Sequence, residues 1–384
     1  MGPAGTGKTT LAKHFAASMP GGVLFGAYTG KAAHVLRQKG CPGATTIHSM
    51  IYTSREKSRL RLSELETEWT RINEQAIRLP EGLYFEDRAV EARWKELKTQ
   101  ITAERKRLSQ PVFALNPDSE VRRANLVIID ECSMVNAEMG QDLLSFGTKV
   151  LVLGDQAQLP PVFGGGFFTS PDPDFMLTEI HRQAADNPII ALATQVREGR
   201  QLELGAYGES RVLAKGDADA AMVLAADQVL VGKNVTRLSS NKRMRELLGR
   251  VSDGLPVPGD KLVCLRNNHD CGLLNGAIWY AEDVGAIDEH HVAMKIRSED
   301  EGTSLLIEAH AEHFLGNGEA MPWWERKEAE EFTYGYALTT HKAQGSQWDD
   351  VLVFDESYCF RENRYRWLYT AITRAAEKVT VVRI

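Results

Sequence analysis

Cysteine is scarce here: the 384-residue chain has five, scattered at positions 41, 132, 264, 271 and 359, with no C-x-x-C pair and no clustered histidine partners. That argues against a disulfide framework or a cysteine-bound metal, and a reduced chain free of such metal is the expectation. No apolar run approaches the roughly 18 to 20 residues needed to cross a bilayer, and no basic-then-apolar leader is present. A cytoplasmic protein with no membrane partner is expected. A large charge of one sign is missing too. Lys and Arg number 45 against 52 Asp and Glu, a net charge of -7. That balance argues against coating nucleic acid by bulk attraction and leaves a local basic groove compatible. Neither an internal repeat nor a low-complexity linker divides the chain. What is there is ordinary for a globular protein: 43% hydrophobic residues over 384 positions, enough for two domains with insertions.

The first ten residues stand out from that background. Gly2-Pro3-Ala4-Gly5-Thr6-Gly7-Lys8-Thr9-Thr10 match G-x-x-x-x-G-K-[ST] without a gap, the spacing of a phosphate-binding loop. Glycines at 2, 5 and 7 let the backbone curl with its N–H groups inward. A nucleotide's phosphates then meet several donors and the positive end of the following helix. Lys8 would reach the β- and γ-phosphates, and the Thr9 hydroxyl would hold Mg²⁺. A helical pattern follows, with Leu11, Phe15, Ala16 and Met19 on one side, stopped by Pro20-Gly21-Gly22. Such a loop normally follows a buried strand, and none stands before this one. The expectation is a fragment, a misplaced start, or another segment filling that slot in the sheet.

Strand and helix then alternate. Val23 to Tyr28 is a short apolar strand, followed by the turn and helix Thr29-Gly30-Lys31-Ala32-Ala33-His34-Val35-Leu36 and a second polar turn, Ala44-Thr45-Thr46-Ile47-His48-Ser49. From about Arg55 to Gln110 the charge is mixed and the apolar spacing helical: Leu62, Leu65, Trp69, Ile72, Ala76 and Leu79, then Val90, Trp94, Leu97, Ile101 and Leu108, with Pro80-Glu81-Gly82 between. This predicts two antiparallel helices inserted into an α/β domain. Asn125 to Ile129 reads as a strand buried on both faces, and Asp130 and Glu131 stand at its C-terminal end, where open α/β sheets bind ligands. Asp130 is the expected Mg²⁺ ligand and Glu131 the expected base for an attacking water. A third strand, Val150 to Leu153, runs into Gly154-Asp155-Gln156-Ala157-Gln158-Leu159-Pro160-Pro161, which puts Gln156 at the same edge. Gly164-Gly165-Gly166 is a natural hinge. Beyond it lie a strand over Gln228 to Val231, a helix over Asn241 to Arg250, and short β pieces between about Lys261 and Glu331. These are Leu262 to Leu265, Ala277 to Tyr280, His291 to Ile296 and Ser304 to Ile307. The αβ rhythm resumes with Phe332 to Leu338, Val351 to Phe354, a helix through Tyr365 to Arg374, and Val379 to Val382.

In this order the segments resemble the motifs of superfamily 1 helicases, and within them the RecD-like and phage Dda-like 5′→3′ branch. The match runs through nearly the whole length. Gly2 to Thr9 is similar to motif I, Tyr28 to Ala33 to motif Ia, Thr45-Thr46-Ile47-His48 to motif Ib, Asp130 to Met134 to motif II, and Gly154 to Pro161 to motif III. Leu177-Thr178-Glu179-Ile180-His181-Arg182-Gln183 resembles motif IV, Leu338 to Gly345 motif V, and Tyr369 to Ala375 motif VI.

The resemblance implies an α/β fold of two RecA-like parallel-sheet domains with ATP and Mg²⁺ in the cleft between them. Residues 1–54 and 111–176 form the first domain and residues 177–259 and 332–384 the second. Residues 55–110 are a helical insertion in the place of the family's compact β-hairpin pin, and 260–331 a small β-barrel-like insertion. It implies ATP hydrolysis by Lys8, Glu131 and Gln156 with Arg182 and Arg374 as arginine fingers, driving movement on single-stranded DNA. Thr29, Lys31, His48, His341, Lys342 and Gln344 become candidate contacts to that strand. Single/double-strand junctions and replication or recombination proteins become candidate partners. Two alternatives stand beside this: a catalytically impaired nucleotide- or DNA-binding fragment, and an RNA helicase of the same superfamily. The family's strand and adenine-recognising glutamine before motif I have no counterpart here.

Overall fold

The computed structural model describes every residue except 55–59, 75–76, 80–81, 85–86, 110–112, 162–165, 179–186, 251–252, 269, 287 and 323–324. Two compact units result, Met1–Met50 with Glu120–Ile384, and Ile51–Ser119. In chain order the larger unit starts with α1 (Lys8–Ser18), β1 (Val23–Ala27), α2 (Gly30–Gln38), β2 (Thr45–Thr46) and α3 (Ile47–Ile51). The smaller unit contains β3 (Tyr52–Ser54), α4 (Leu60–Asn73), β4 (Ile77–Leu79), β5 (Gly82–Tyr84), α5 (Arg88–Ser109) and β6 (Phe113–Leu115).

In the smaller unit β3 and β6 pair antiparallel, with Tyr52 opposite Leu115. The helical spacing closes α4 on α5 through Leu65, Leu97 and Ile101, with Trp69 and Trp94 stacked at 6.1 Å between centroids. Arg93 spans both oxygens of Glu68 at 2.9 Å, the fork geometry that suits a carboxylate. Between the helices β4 and β5 form a short antiparallel pair, with Ile77 opposite Tyr84.

The larger unit resumes with β7 (Leu126–Asp130), α6 (Ala137–Ser145) and β8 (Val150–Val152). These complete a parallel sheet of order β2-β1-β7-β8. β7 is apolar throughout because both of its faces are covered, and Asp130 at its end is the first residue to leave the core. Beside the end of β8, Gly2 donates its N–H to Gly154 O at 3.0 Å, and Leu177 donates to Met1 O at 2.8 Å.

A second sheet follows from α7 (Pro188–Arg197), β9 (Gly205–Tyr207), β10 (Ser210–Ala214), α8 (Ala220–Ala225), β11 (Gln228–Val231) and α9 (Asn234–Leu247). The chain then leaves for β12 (Lys261–Cys264), β13 (Ile278–Ala286), β14 (His291–Ser298), β15 (Ser304–His310), α10 (Ala311–Leu315) and β16 (Phe332–Tyr334). It returns through β17 (Ala337–Thr339), β18 (Trp348–Asp355), α11 (Arg364–Ile372) and β19 (Ala375–Arg383). The second sheet has the order β17-β11-β18-β19-β10-β9 and is parallel except for β9; β15-β14-β13-β12-β16 is an antiparallel sheet.

Alternation along the second sheet serves two cores at once. Leu230, Val351, Val353, Val379 and Val381 pack with Trp367 and Ile372 of α11. Their neighbours Val229, Val231, Leu352 and Val382 pack with Leu262, Trp279 and Phe332 of the antiparallel sheet. Period-two alternation therefore joins the two sheets without a linker. Phe332 to Leu338, one strand by its composition, is divided at Gly335. β16 pairs with β12 and β17 pairs with β11. A Cβ at Gly335 would lie 2.9 Å from the Leu262 carbonyl carbon, so only glycine lets the chain cross there. The strand β10 carries no apolar signal strong enough to mark it in the sequence. The hinge glycines 164 and 165 and the central Pro80-Glu81 lie outside the described residues. Among the described residues no helix is long and apolar enough to cross a membrane.

A buried ion pair ties α9 to the antiparallel sheet. Arg245 meets the fully buried Asp260 at 3.0 Å, Tyr336 donates to the same carboxylate at 2.8 Å, and the Arg245 guanidinium lies 4.1 Å from the Tyr334 ring centroid. Asp260→Ala would strand a buried guanidinium, and should cost about 3–5 kcal/mol of stability in urea unfolding. The thiols give a second check on the core. Burial pushes Cys132 and Cys264 up to about 12, while Cys359 is exposed. Iodoacetamide at pH 8 should therefore label Cys359 in the native protein and spare the other two, as read by peptide mass spectrometry.

Candidate functional site

Gly5 and Gly7 hold φ of 80° and 74°, the left-handed conformation that lets the loop wrap back before α1 begins. Gly7 caps α1 without a side-chain hydrogen bond, and the first turn carries no acidic residue. Its amides are thus open to an anion. Lys8 is folded over the loop, its ammonium donating to Gly2 O at 2.7 Å and Pro3 O at 2.8 Å. The parallel register sets Ala27 of β1 opposite Asp130 of β7, which brings that carboxylate to the sheet edge facing the loop. Thr9 Oγ1 donates to Asp130 Oδ2 at 2.9 Å. Burial, and then Glu131, raise the Asp130 carboxyl, while the amide of Glu131, Thr9 and Lys8 pull it back.

Glu131 sits at φ 53°, one of two non-glycine residues with positive φ among the described residues. For a residue with a Cβ this is a strained turn, and it swings the carboxylate out of the strand into the cleft. Across from it stands Arg374, Nη1 to Oε1 4.0 Å. Arg374 is buried and held by the carbonyls of Thr370 and Ser346, each at 3.2 Å. The cleft so formed has a volume of about 370 Å³. The phosphate loop, Asp130, Glu131 and Gln158 line it from the first sheet, and Gly345 to Gln347 with Thr373 and Arg374 line it from the second.

The predicted residues divide by location. Gly5 to Thr10, Asp130, Glu131 and Arg374 come together in this cleft, with Ala4 at its rim. Gln156 does not reach it: its amide donates to the carbonyls of Thr169 at 3.3 Å and Pro171 at 3.2 Å, on the other side of the motif. Gln158, two residues on, lines the cleft. Asp155 turns residues 155–158, donating no proton and accepting from the Ala157 amide at 2.9 Å, which sends the two glutamines to opposite sides. Arg182 lies outside the described residues. Gly2 and Pro3 border a separate cavity of about 500 Å³ with Met176 and Arg366.

Of the candidate strand contacts, Thr29 caps α2 by accepting from the Ala32 amide at 3.1 Å. Lys31 is buried and ion-paired to Asp300 on the turn between β14 and β15, and His34 lies 3.7 Å from Glu301 of that turn. Thr29 and Ala32 abut Gly345, whose Cβ would stand 2.9 Å from each. His48 lies on α3, just after β2 at the same sheet edge; burial pulls its imidazole down. His341 is pulled down by burial as well, with its ring 5.5 Å from Phe360, and Lys342 is exposed. Gln344 faces inward instead, donating to Leu159 O at 3.0 Å in the buried core. Motif spacing locates these segments but not which side chains face out, and the structure turns Gln158 to the cleft and Gln344 to the core.

The AAA domain family model matches residues 1–218, and the UvrD-like helicase C-terminal domain matches residues 334–382. The chain is 29% identical over 282 residues to the ATP-dependent RecD2 DNA helicase of Deinococcus radiodurans, covering 66% of this chain and 36% of that protein. It is 26% identical over 291 residues to the RecBCD enzyme subunit RecD of Mycobacterium tuberculosis, covering 67% and 49%. The chain thus spans about a third to a half of the length of these curated relatives. Among solved structures the Pif1 helicase of Candida albicans aligns with a TM-score of 0.52 at 18% identity, covering 100% of this chain and 89% of that one. That likeness bears on the fold, two lobes built on parallel sheets. With a family model matched over more than half of its length, the chain belongs to the AAA domain family.

Proposed function

We propose that this chain is an ATP-dependent DNA helicase or translocase, working in the cytoplasm and coupling ATP hydrolysis to 5′→3′ movement on single-stranded DNA. The observation that carries this reading is the cleft, in which Arg374 from one lobe stands 4.0 Å from Glu131 of the other, above an open phosphate loop. The names of its relatives, among them ATP-dependent DNA helicases, support it.

On this reading the triphosphate lies on the amides of Gly5 to Thr9, and Lys8 leaves its two carbonyls for the β- and γ-phosphates. Thr9 and Asp130 offer adjacent hard oxygens, a donor set that fits Mg²⁺. When bound, Mg²⁺ would neutralise phosphate charge there. Glu131 orients a water and takes its proton as the water oxygen attacks the γ-phosphorus. The bond to the bridging oxygen breaks and ADP leaves. Gln158, which lines the cleft, rather than Gln156, would meet the γ-phosphate. Arg374, itself buried, stabilises the charge that develops. Thr29, Lys31, His48, His341 and Lys342 contact the strand. The two histidines, held neutral by burial, would act through hydrogen bonds rather than charge. Strand junctions and replication or recombination proteins are the partners this activity would need.

Hydrolysis measured with and without single-stranded DNA tests the reading, with RNA as a parallel arm. Wild-type turnover should rise with DNA; Lys8→Ala should lose it. Glu131→Gln should still bind ATP but hydrolyse it about 10²–10⁴-fold more slowly. Lys8→Ala turning over normally would remove the loop from the mechanism, and stimulation by RNA alone would reassign the track. Strand binding gives a separate check. A strand entering at α2 must displace Asp300 from Lys31, so Asp300→Ala should tighten binding. Lys342→Ala should weaken it and reduce the logarithmic salt slope by about 0.7.

A further inference from the structure

We propose that Tyr369 is a positioning residue of the hydrolysis site, its hydroxyl tying the phosphate loop to motif III and to the helix end that carries Arg374. This rests on the ATP-hydrolysis reading above and assigns a task to a side chain outside the group that would touch the phosphates. Tyr369 stands in the last turn of α11 and is 2% exposed. Its hydroxyl accepts the Ala4 N–H at 3.1 Å and donates its own proton to the Asp155 carboxylate. A phenol has one proton to give, and here the bonding runs in one direction, from the loop through the ring oxygen to Asp155. Asp155 is itself buried. Burial raises its carboxyl, and the Tyr369 hydrogen bond, ahead of Lys8 and the Ala157 amide, pulls it back.

The neighbouring residues extend the same grip. Thr370 Oγ1 accepts from the Leu159 amide of motif III at 2.9 Å. The Thr370 carbonyl then holds Arg374 Nε at 3.2 Å, and Arg374 N–H donates to Ala371 O at 3.2 Å. The short run of backbone from Tyr369 to Arg374 therefore links the Ala4 turn to the guanidinium that faces Glu131. Binding a nucleotide needs only the loop of the first lobe; hydrolysis needs Arg374 in register with it. The Tyr369 hydroxyl spans the lobes at Ala4, outside the Gly5 to Thr9 amides that carry the triphosphate on this reading, and so bears chiefly on the second requirement. A displacement of about 1 Å at a reacting centre can cost on the order of a hundredfold in rate.

Tyr369→Phe keeps the buried ring and removes the hydroxyl. We expect ATP affinity within about twofold of wild type, with kcat lower by about 10- to 100-fold. Amide hydrogen exchange over residues 2–7 should be faster in the variant. An unchanged kcat in a folded variant, or a loss of nucleotide affinity matching the loss of kcat, would overturn the proposal. The exchange measurement also stands alone. In ligand-free wild type the Ala4 amide should be protected, and free exchange there would overturn the tie even if Tyr369→Phe does not fold. Should wild-type protein fail to hydrolyse ATP while Ala4 is protected, the functional reading falls and the tie survives.

Discussion

Lys8, Asp130, Glu131 and Arg374 bring charge into a cleft where Arg374 is buried and the other three are half-buried, and a charge so placed needs partners or the fold loses stability. The chain supplies them internally. The Lys8 ammonium rests on two loop carbonyls, Asp130 on the Thr9 hydroxyl and the Glu131 amide, and Arg374 on two carbonyls across from Glu131. These are neutral partners for the cations, weaker than a phosphate would be. The desolvation that makes the cleft demanding therefore also makes it receptive to a polyanion. Parallel sheets are what permit the arrangement, since both deliver their loops to one edge while their interiors stay dry.

Lys31 meets the same demand differently. It is nearly as buried as Arg374, and its partner is a carboxylate from the turn between β14 and β15, more than two hundred residues away in the chain. That turn is carried by the antiparallel sheet, which in turn packs on one face of the second parallel sheet through Val229, Val231 and Leu352. The sheet's other face holds α11 and hence Tyr369 and Arg374. One sheet thus positions both the groups facing the cleft and the acid that occupies Lys31.

The phosphate loop, the carboxylates at the end of β7 and the helix just before Arg374 were legible because each is a local pattern: spacing, an apolar run with charges at its end, a helix start and stop. The sides taken by individual residues were not. Gln156 and Gln158 are two positions apart in one turn, and the hydrogen bond from Ala157 to Asp155 decides which of them faces the cleft. Gln344 belongs to a motif read as contacting the strand, yet Leu159, 185 positions away, claims its amide. Phe332 to Leu338 has the composition of one strand and serves two sheets, because the constraint acts at Gly335 from Leu262.

By itself the sequence determined the kinds of groups available and their order: a phosphate-loop pattern, two adjacent carboxylates at a strand end, and arginines in a second αβ segment. Spacing within ten residues is enough for that, since backbone geometry over such distances follows from residue type. Only the tertiary structure decided that Arg374 faces Glu131, that Asp300 holds Lys31, and that the Tyr369 hydroxyl reaches Ala4. Those pairings join residues hundreds of positions apart, and they depend on how buried sheet faces pack, which no local pattern encodes.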